Sequence, residues 1–143
     1  MTLVDANLLL YAVDASAPAH EAARTWLDEE LSGTTATGFA WIALLAFLRI
    51  STNPRIYRQP LAPGEALAHV ERWLSQPGSV VLAPGRRHLR ILRSLLEHRG
   101  TAANLASDAH LAAIALEHGA VLCSADRDFA RFEGLRWFDP LRR

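Results

Sequence analysis

The chain has 143 residues, half of them apolar, which is enough to build one hydrophobic core without disulfides or a structural metal. Its formal net charge is zero, so no global field draws it onto nucleic acid, and any such binding must depend on local patches. The single cysteine, Cys123, excludes an internal disulfide framework and a thiolate metal cluster. We therefore expect one domain over residues 1–143 in a reducing, cytoplasmic setting.

Neither a signal peptide nor a membrane span is expected. The chain begins Met1-Thr2-Leu3-Val4-Asp5, without the basic start of a signal peptide. The longest apolar run, residues 39–48, is too short to cross a bilayer. We expect a soluble protein without a membrane partner.

Short apolar strands alternate with helical segments along the chain. In the first half, the patterns predict a strand at 2–4, helices at 6–13 and 18–31, a strand at 34–37, and helices at 39–50 and 63–74. In the second half, they predict a strand at 80–82, a helix at 87–98, and a helix that Asp108 opens and Gly119 ends. A strand at 121–123, a short helix and a last strand at 136–138 follow. Such alternation predicts a three-layer α/β domain with a mainly parallel central sheet flanked by helices.

Four aspartates are predicted to meet at one edge of that sheet. Asp5 follows the first strand, Asp126 and Asp128 follow the strand that contains Cys123, and Asp108 begins the helix before that strand. Ligands of parallel sheets bind beyond the carboxyl ends of the strands. Each aspartate could instead simply cap a helix, which explains them singly but does not explain their shared edge.

Clustered carboxylates need protons or a cation, because two of them repel by about 4 kcal/mol at 4 Å in an effective dielectric of about 20. Mg²⁺ or Mn²⁺ suits such oxygen ligands, whereas zinc would recruit histidine or cysteine. A metal of this kind activates water and stabilises charge on an attacked phosphate. This chemistry predicts hydrolysis of a phosphodiester.

Three segments resemble the principal motifs of PIN-domain proteins, in the same order along the chain. They are residues 3–11 (LVDANLLLY), 107–113 (SDAHLAA) and 124–129 (SADRDF). A fourth segment, residues 45–54 (LAFLRISTNP), is similar to a subgroup of VapC toxins from toxin–antitoxin pairs. Together the motifs span nearly the whole chain.

The resemblance implies an Mg²⁺- or Mn²⁺-dependent endoribonuclease that cuts an RNA substrate, is inhibited by a VapB-like antitoxin, and forms a homodimer. It implies catalytic, metal-ligating roles for Asp5, Asp108 and Asp126, with Asp128 as a further acidic ligand. Ser124 matches a position where the family has a small hydroxyl residue near the site, and Asn104 is near enough to Asp108 in sequence to assist; both could equally serve turns.

One departure from the family concerns the apolar helix predicted at 39–50. The family carries a glutamate there, whereas this chain has no acid between Glu30 and Glu65, and Leu44 occupies the position. The alternative hypothesis is therefore a catalytically weakened domain that acts as an antitoxin- or RNA-binding module.

Other enzyme classes fit less well. An aspartyl-phosphate phosphatase usually has a second acid two positions after its nucleophile, and Asn7 stands there. The glycines form no phosphate-binding loop, and the histidines have no zinc-ligand spacing. Two arginine groups could bind RNA phosphates or could be ordinary solvated surface: Arg86, Arg87, Arg90 and Arg93, and Arg49, Arg55 and Arg58.

Overall fold

The computed structural model describes residues 1–97, 102, 103 and 105–142. Its first half contains β1 (Thr2–Val4), α1 (Ala6–Val13), α2 (His20–Ser32), β2 (Thr37–Phe39), α3 (Trp41–Ser51) and α4 (Pro63–Leu74). Its second half contains β3 (Ser79–Val81), α5 (His88–Leu96), α6 (Ala106–His118), β4 (Val121–Cys123), a 3₁₀ helix (Arg127–Arg131) and β5 (Trp137–Phe138). No helix within the described ranges is long and apolar enough to cross a membrane.

The strands form one five-stranded sheet in the order β3-β2-β1-β4-β5, and every pairing is parallel. β1 and β4 are neighbours at the centre, so Val4 pairs with Cys123 although the two are far apart in sequence. The predicted three-layer parallel fold is confirmed. This strand order places the carboxyl ends of β1 and β4 side by side. Asp5 directly follows β1, and Ser124 directly follows β4.

Alternate residues of the central strands face opposite layers of helices, as strand geometry requires. Leu3 and Leu122 pack into a core formed largely by α6, with Leu95 from α5. Val4 and Cys123 pack into a second core against α1 to α4. Both faces of the central strands are thus covered, which explains why β1 and β4 are apolar without polar alternation.

Several element boundaries differ by one to three residues from the sequence prediction. Asp108 does not open its helix, since α6 begins at Ala106 and Asp108 lies in its first turn, and β3 lies at Ser79–Val81 instead of 80–82. The second strand was expected at 34–37 and lies at Thr37–Phe39, and the helix after it begins at Trp41 instead of residue 39. Phe39 is fully buried at the end of the strand, so its apolar character belongs to the sheet and not to the helix. The end of the helix predicted at 87–98 lies partly outside the described residues.

Candidate active site

Asp5 stands where β1 ends and α1 begins, and its two carboxylate oxygens have different partners. Oδ1 accepts the backbone N–H of Ala6 at 2.8 Å, so this oxygen does cap the helix. Oδ2 accepts the hydroxyl of Ser124 at 2.7 Å, across the sheet. Helix capping therefore explains the role of Oδ1 but not that of Oδ2.

Ser124 and Asn7 join the ends of β1 and β4 in one polar network. The buried hydroxyl of Ser124 accepts the backbone N–H of Asp126 at 3.0 Å and the Asn7 amide at 3.0 Å. Asn7 Oδ1 in turn accepts the backbone N–H of Ala125 at 3.2 Å, and its amide lies 3.4 Å from Asp5 Oδ2. The sequence shows only that Asn7 stands where an aspartyl-phosphate phosphatase would have a second acid. It does not predict that Asn7 lies in the site.

Asp5 and Asp108 both lie in surroundings that disfavour their charged forms. Burial is the largest cause that raises the pKa of Asp5 above its ordinary value, and the charges of Asp108 and Asp126 raise it further. Hydrogen bonds from Ser124 and Ala6 oppose this rise by stabilising the carboxylate. Asp108, in the first turn of α6, is thus among the charges that act on Asp5 at the end of β1.

The pKa of Asp108 is also raised, mainly by burial and then by the charge of Asp126, with a smaller contribution from Asp128. Arg131 opposes these effects and lowers the pKa of Asp108. Its guanidinium forms an ion pair with Asp128 at 3.0 Å. We call the edge of the sheet that carries Asp5, Asp108, Asp126 and Asp128 the acidic edge. Arg131, which the sequence patterns do not indicate, is thus a cation beside it.

Asp126 and Asp128 differ in what their side chains already bind. Asp126 caps the 3₁₀ helix, since its Oδ1 accepts the backbone N–H of Asp128 at 2.9 Å. Asp128 is exposed, and its carboxylate is engaged by Arg131. The charges of Asp108 and Asp126 thus act on Asp5, and the charge of Asp126 acts on Asp108, whereas Asp128 is exposed and paired with Arg131.

The donors at this edge are carboxylate and hydroxyl oxygens, which are the ligands that Mg²⁺ and Mn²⁺ prefer. Among the described residues, no group of three or more His, Cys, Asp or Glu side chains is close enough to enclose an ion. Mg²⁺ typically uses one or two protein carboxylates and completes its shell with water and phosphate. An open edge of repelling carboxylates fits that mode of binding and does not resemble a closed structural site.

Leu44 is fully buried in the core on the α1–α4 side of the sheet, beside Val4, Leu8 and Phe39. The position at which the resemblance places a glutamate is therefore occupied here by a core side chain.

His110, two residues after Asp108, pairs with His88 at 3.0 Å between ring nitrogens.

The two arginine groups have side chains that are largely exposed. Within the group near α5, Arg87 donates to the backbone carbonyl of Glu117 at 2.7 Å, so this side chain also fixes the start of α5 against the end of α6. Asn104 lies outside the described residues.

Comparison with a family model described as PIN domain gives a match over residues 2–135. Ribonuclease VapC37 of Mycobacterium tuberculosis is 48% identical over 140 residues, which cover 98% of this chain and 97% of that protein. Ribonuclease VapC33 of the same species is 46% identical over 142 residues, which cover 99% of each chain. The similarity thus extends over nearly the full length of both relatives.

Solved structures show the same fold at much lower sequence identity. The crystal structure of VapBC2 from Rickettsia felis, bound to a DNA fragment from their promoter, matches with a TM-score of 0.66 and 12% identity, covering 96% of each chain. The crystal structure of FitAcB from Neisseria gonorrhoeae matches with a TM-score of 0.64 and 17% identity, covering 98% of each chain. At these identities the likeness concerns the architecture alone.

Proposed function

The chain belongs to the PIN-domain family, and on that premise we propose that it is the toxin endoribonuclease of a VapBC-type toxin–antitoxin pair, hydrolysing RNA phosphodiester bonds. The observation that carries the proposal is the hydrogen-bonded link at the carboxyl edge of the parallel sheet, where Ser124 after β4 joins Asp5 after β1 to the backbone of Asp126. Full-length relatives at 48% and 46% identity bear the name ribonuclease, which supports RNA as the substrate.

Asp5, Asp108 and Asp126 would hold an Mg²⁺ or Mn²⁺ ion, one or two of them directly and the others through its water shell, and we assign them as the catalytic residues. When bound, the cation supplies Lewis-acid stabilisation of charge on the attacked phosphate and lowers the pKa of water. Asp128 would join as a further ligand only after it separates from Arg131, since that ion pair occupies its carboxylate.

The other residues of the edge prepare these carboxylates. Ser124 fixes Asp5 Oδ2 by donating a hydrogen bond to it and lowers the pKa of Asp5, which favours the ionised form that binds a cation. Asn7 fixes Ser124 by its amide and the backbone of residue 125 by its carbonyl oxygen. Arg131, whose guanidinium lies 3.0 Å from the Asp128 carboxylate, would meet an RNA phosphate beside the acids.

The partners follow from the same proposal. A VapB-like antitoxin inhibits the enzyme, two copies form a homodimer, and the protein acts in the cytoplasm. The fold that this chain shares with the VapBC2 structure supports an antitoxin of this type. The exposed apolar side chains Trp41 and Leu45 on α3 offer surface for a protein contact.

A second function is favoured by Leu44. Because position 44 carries a leucine, α3 contributes no carboxylate there, and the site has fewer acids than the resemblance implies. The alternative is a catalytically weakened domain that binds antitoxin or RNA without cutting it efficiently. The two functions differ in whether the purified chain turns over RNA.

The test is cleavage of a structured RNA pool by the purified chain with Mn²⁺, with Mg²⁺ and with chelator. We expect metal-dependent cleavage that falls by at least about 100-fold in Asp5→Asn and in Asp108→Asn, because each removes a carboxylate but keeps a similar shape. Asp28→Asn, an exposed change on α2, is the matched control and should cleave normally. Metal-independent cleavage, or normal cleavage by both site variants, would exclude the assigned mechanism. Folded wild-type protein that binds RNA without cutting it would favour the binding module.

A further inference from the structure

A cavity of about 460 Å³ lies between the C-terminal halves of α1 and α3 and the segment that follows α3. Its apolar wall includes Leu10, Val13 and Phe47. Asp5 caps the opposite end of α1, and eight helical residues span about 12 Å. The cavity is therefore separate from the acidic edge, and none of the residues assigned above to catalysis lines it.

Ser51 lines this cavity and carries a polar group without a hydrogen-bond partner among the described residues. Its side chain is 5% exposed, and the atom concerned is its Oγ. The adjacent Thr52 behaves differently, since its hydroxyl donates to the backbone carbonyl of Leu48 at 2.7 Å. A buried hydroxyl without a partner costs free energy that a ligand with a polar group could recover.

The electrostatics of the cavity favour a cation. Asp14 lies at the C-terminal end of α1, where the helix dipole is negative and the last turn has no basic residue. Its Oδ1 accepts the N–H and the hydroxyl of Ser16, and no described side chain forms an ion pair with it. Burial and then the charge of Asp14 raise the pKa of Tyr57, which also lines the cavity. The charge of Asp14 therefore acts on the lining of the cavity at Tyr57.

We propose that this cavity binds a small organic amine with an apolar body, its ammonium group at Asp14 and a polar group at Ser51. Leu10, Val13 and Phe47 supply the apolar contacts. The volume is within the range of small-molecule sites, which combine mainly apolar walls with a few polar groups. Arg58 also lines the cavity but is exposed, so its charge is screened by solvent more than that of Asp14.

Tyramine is a suitable probe because it has an ammonium group at one end of an aromatic body and a hydroxyl at the other. Calorimetric titration of the full chain, without RNA or metal, should give saturable binding to one site with a Kd on the order of 1 mM or tighter. The anion 4-hydroxyphenylacetate, which replaces the ammonium arm with a carboxylate, should bind at least about 10-fold more weakly. Equal or tighter binding of the anion would overturn the proposal.

Variants locate the binding. Asp14→Asn keeps an oxygen that can accept from Ser16 and should weaken tyramine binding at least about 5-fold, since it removes the charge. Ser51→Ala should weaken it about 3-fold or more through the lost hydrogen bond. Asp28→Asn on α2 makes the same charge change outside the cavity and should leave the affinity unchanged. Absence of saturable binding to folded wild-type protein, or normal binding by Asp14→Asn, contradicts the proposal. Neither result depends on ribonuclease activity.

Discussion

At the scale of single residues, Ser124 holds the acidic edge together. Its hydroxyl donates to Asp5 Oδ2 at 2.7 Å and accepts the backbone N–H of Asp126 at 3.0 Å. Because Ser124 is fully buried, water cannot easily replace either hydrogen bond. The orientation of one acid and the backbone of another therefore depend on a single hydroxyl group.

Removing that hydroxyl should shift the pH dependence of the enzyme. In Ser124→Ala the pKa of Asp5 loses a lowering contribution and rises further above its ordinary value of 3.8. Protonated Asp5 cannot bind a cation, so activity and Mn²⁺ affinity increase as pH rises through this pKa. The acidic limb of both profiles should move to higher pH in Ser124→Ala and should stay in place in Ser124→Thr, which keeps a hydroxyl. Identical profiles for wild type and the folded alanine variant would contradict the role of Ser124.

The sequence predicted part of this arrangement. The positions of Asp5 and Asp126 after strands indicate a common edge once the sheet is parallel. Asn7 could not be predicted in the same way, because its amide meets Ser124 across 117 residues and only the adjacency of β1 and β4 brings them together. Arg131 was missed for a similar reason, since a single arginine in a short helical turn gives no pattern.

At the scale of elements, α3 shows how packing restricts the site. Ala43, Leu44 and Phe47 face the protein interior, whereas Trp41 and Leu45 are 50% and 58% exposed. Leu44 lies in the same core as Val4 of the central strand. An acid at position 44 would therefore have to ionise within an apolar core.

We expect Leu44→Glu to destabilise the protein without improving catalysis. A carboxylate buried without a partner should lower the free energy of unfolding by more than about 3 kcal/mol, and the lost packing adds to this. Leu45→Glu, one residue away on the exposed side, should change it by about 0.5 kcal/mol or less, and Leu44→Met by less than about 1.5 kcal/mol. Urea denaturation measures all three. A stable Leu44→Glu protein with faster metal-dependent cleavage would show that the position opens onto the site.

The misplaced boundaries of β2 have a packing explanation. Thr34 and Thr35 have strand propensity, whereas Gly38 resembles a turn residue, so the sequence favoured a strand that ended too early. In the structure, a Cβ on Gly38 would lie 2.7 Å from the backbone oxygen of Thr2 and 2.7 Å from the Leu82 side chain. Glycine is required there by a close approach between strands, which local sequence patterns do not reveal.

At the scale of the whole molecule, folding assembles carboxylates that would otherwise be apart and hydrated. The pKa of Asp5 and of Asp108 is raised in the folded state, so the folded protein binds protons more tightly at these groups than the unfolded chain. Their contribution to stability is fully present below the ordinary pKa of 3.8 and is lost as pH rises through the raised values. At neutral pH the cation-free protein therefore carries an electrostatic penalty.

A divalent cation should remove this penalty and raise the melting temperature. At a free Mn²⁺ concentration 100 times its Kd, binding to the folded state alone adds about 2.7 kcal/mol of stability. The increment should shrink as pH falls toward the raised pKa values of Asp5 and Asp108, because protons then compete with the metal. It should be smaller in Asp108→Asn and unchanged in Asp28→Asn, as measured by thermal unfolding with Mn²⁺ and with chelator. An increment that is absent in wild type, or that persists undiminished in Asp108→Asn, would mean that the acidic edge does not hold the metal, whatever the source of any ribonuclease activity.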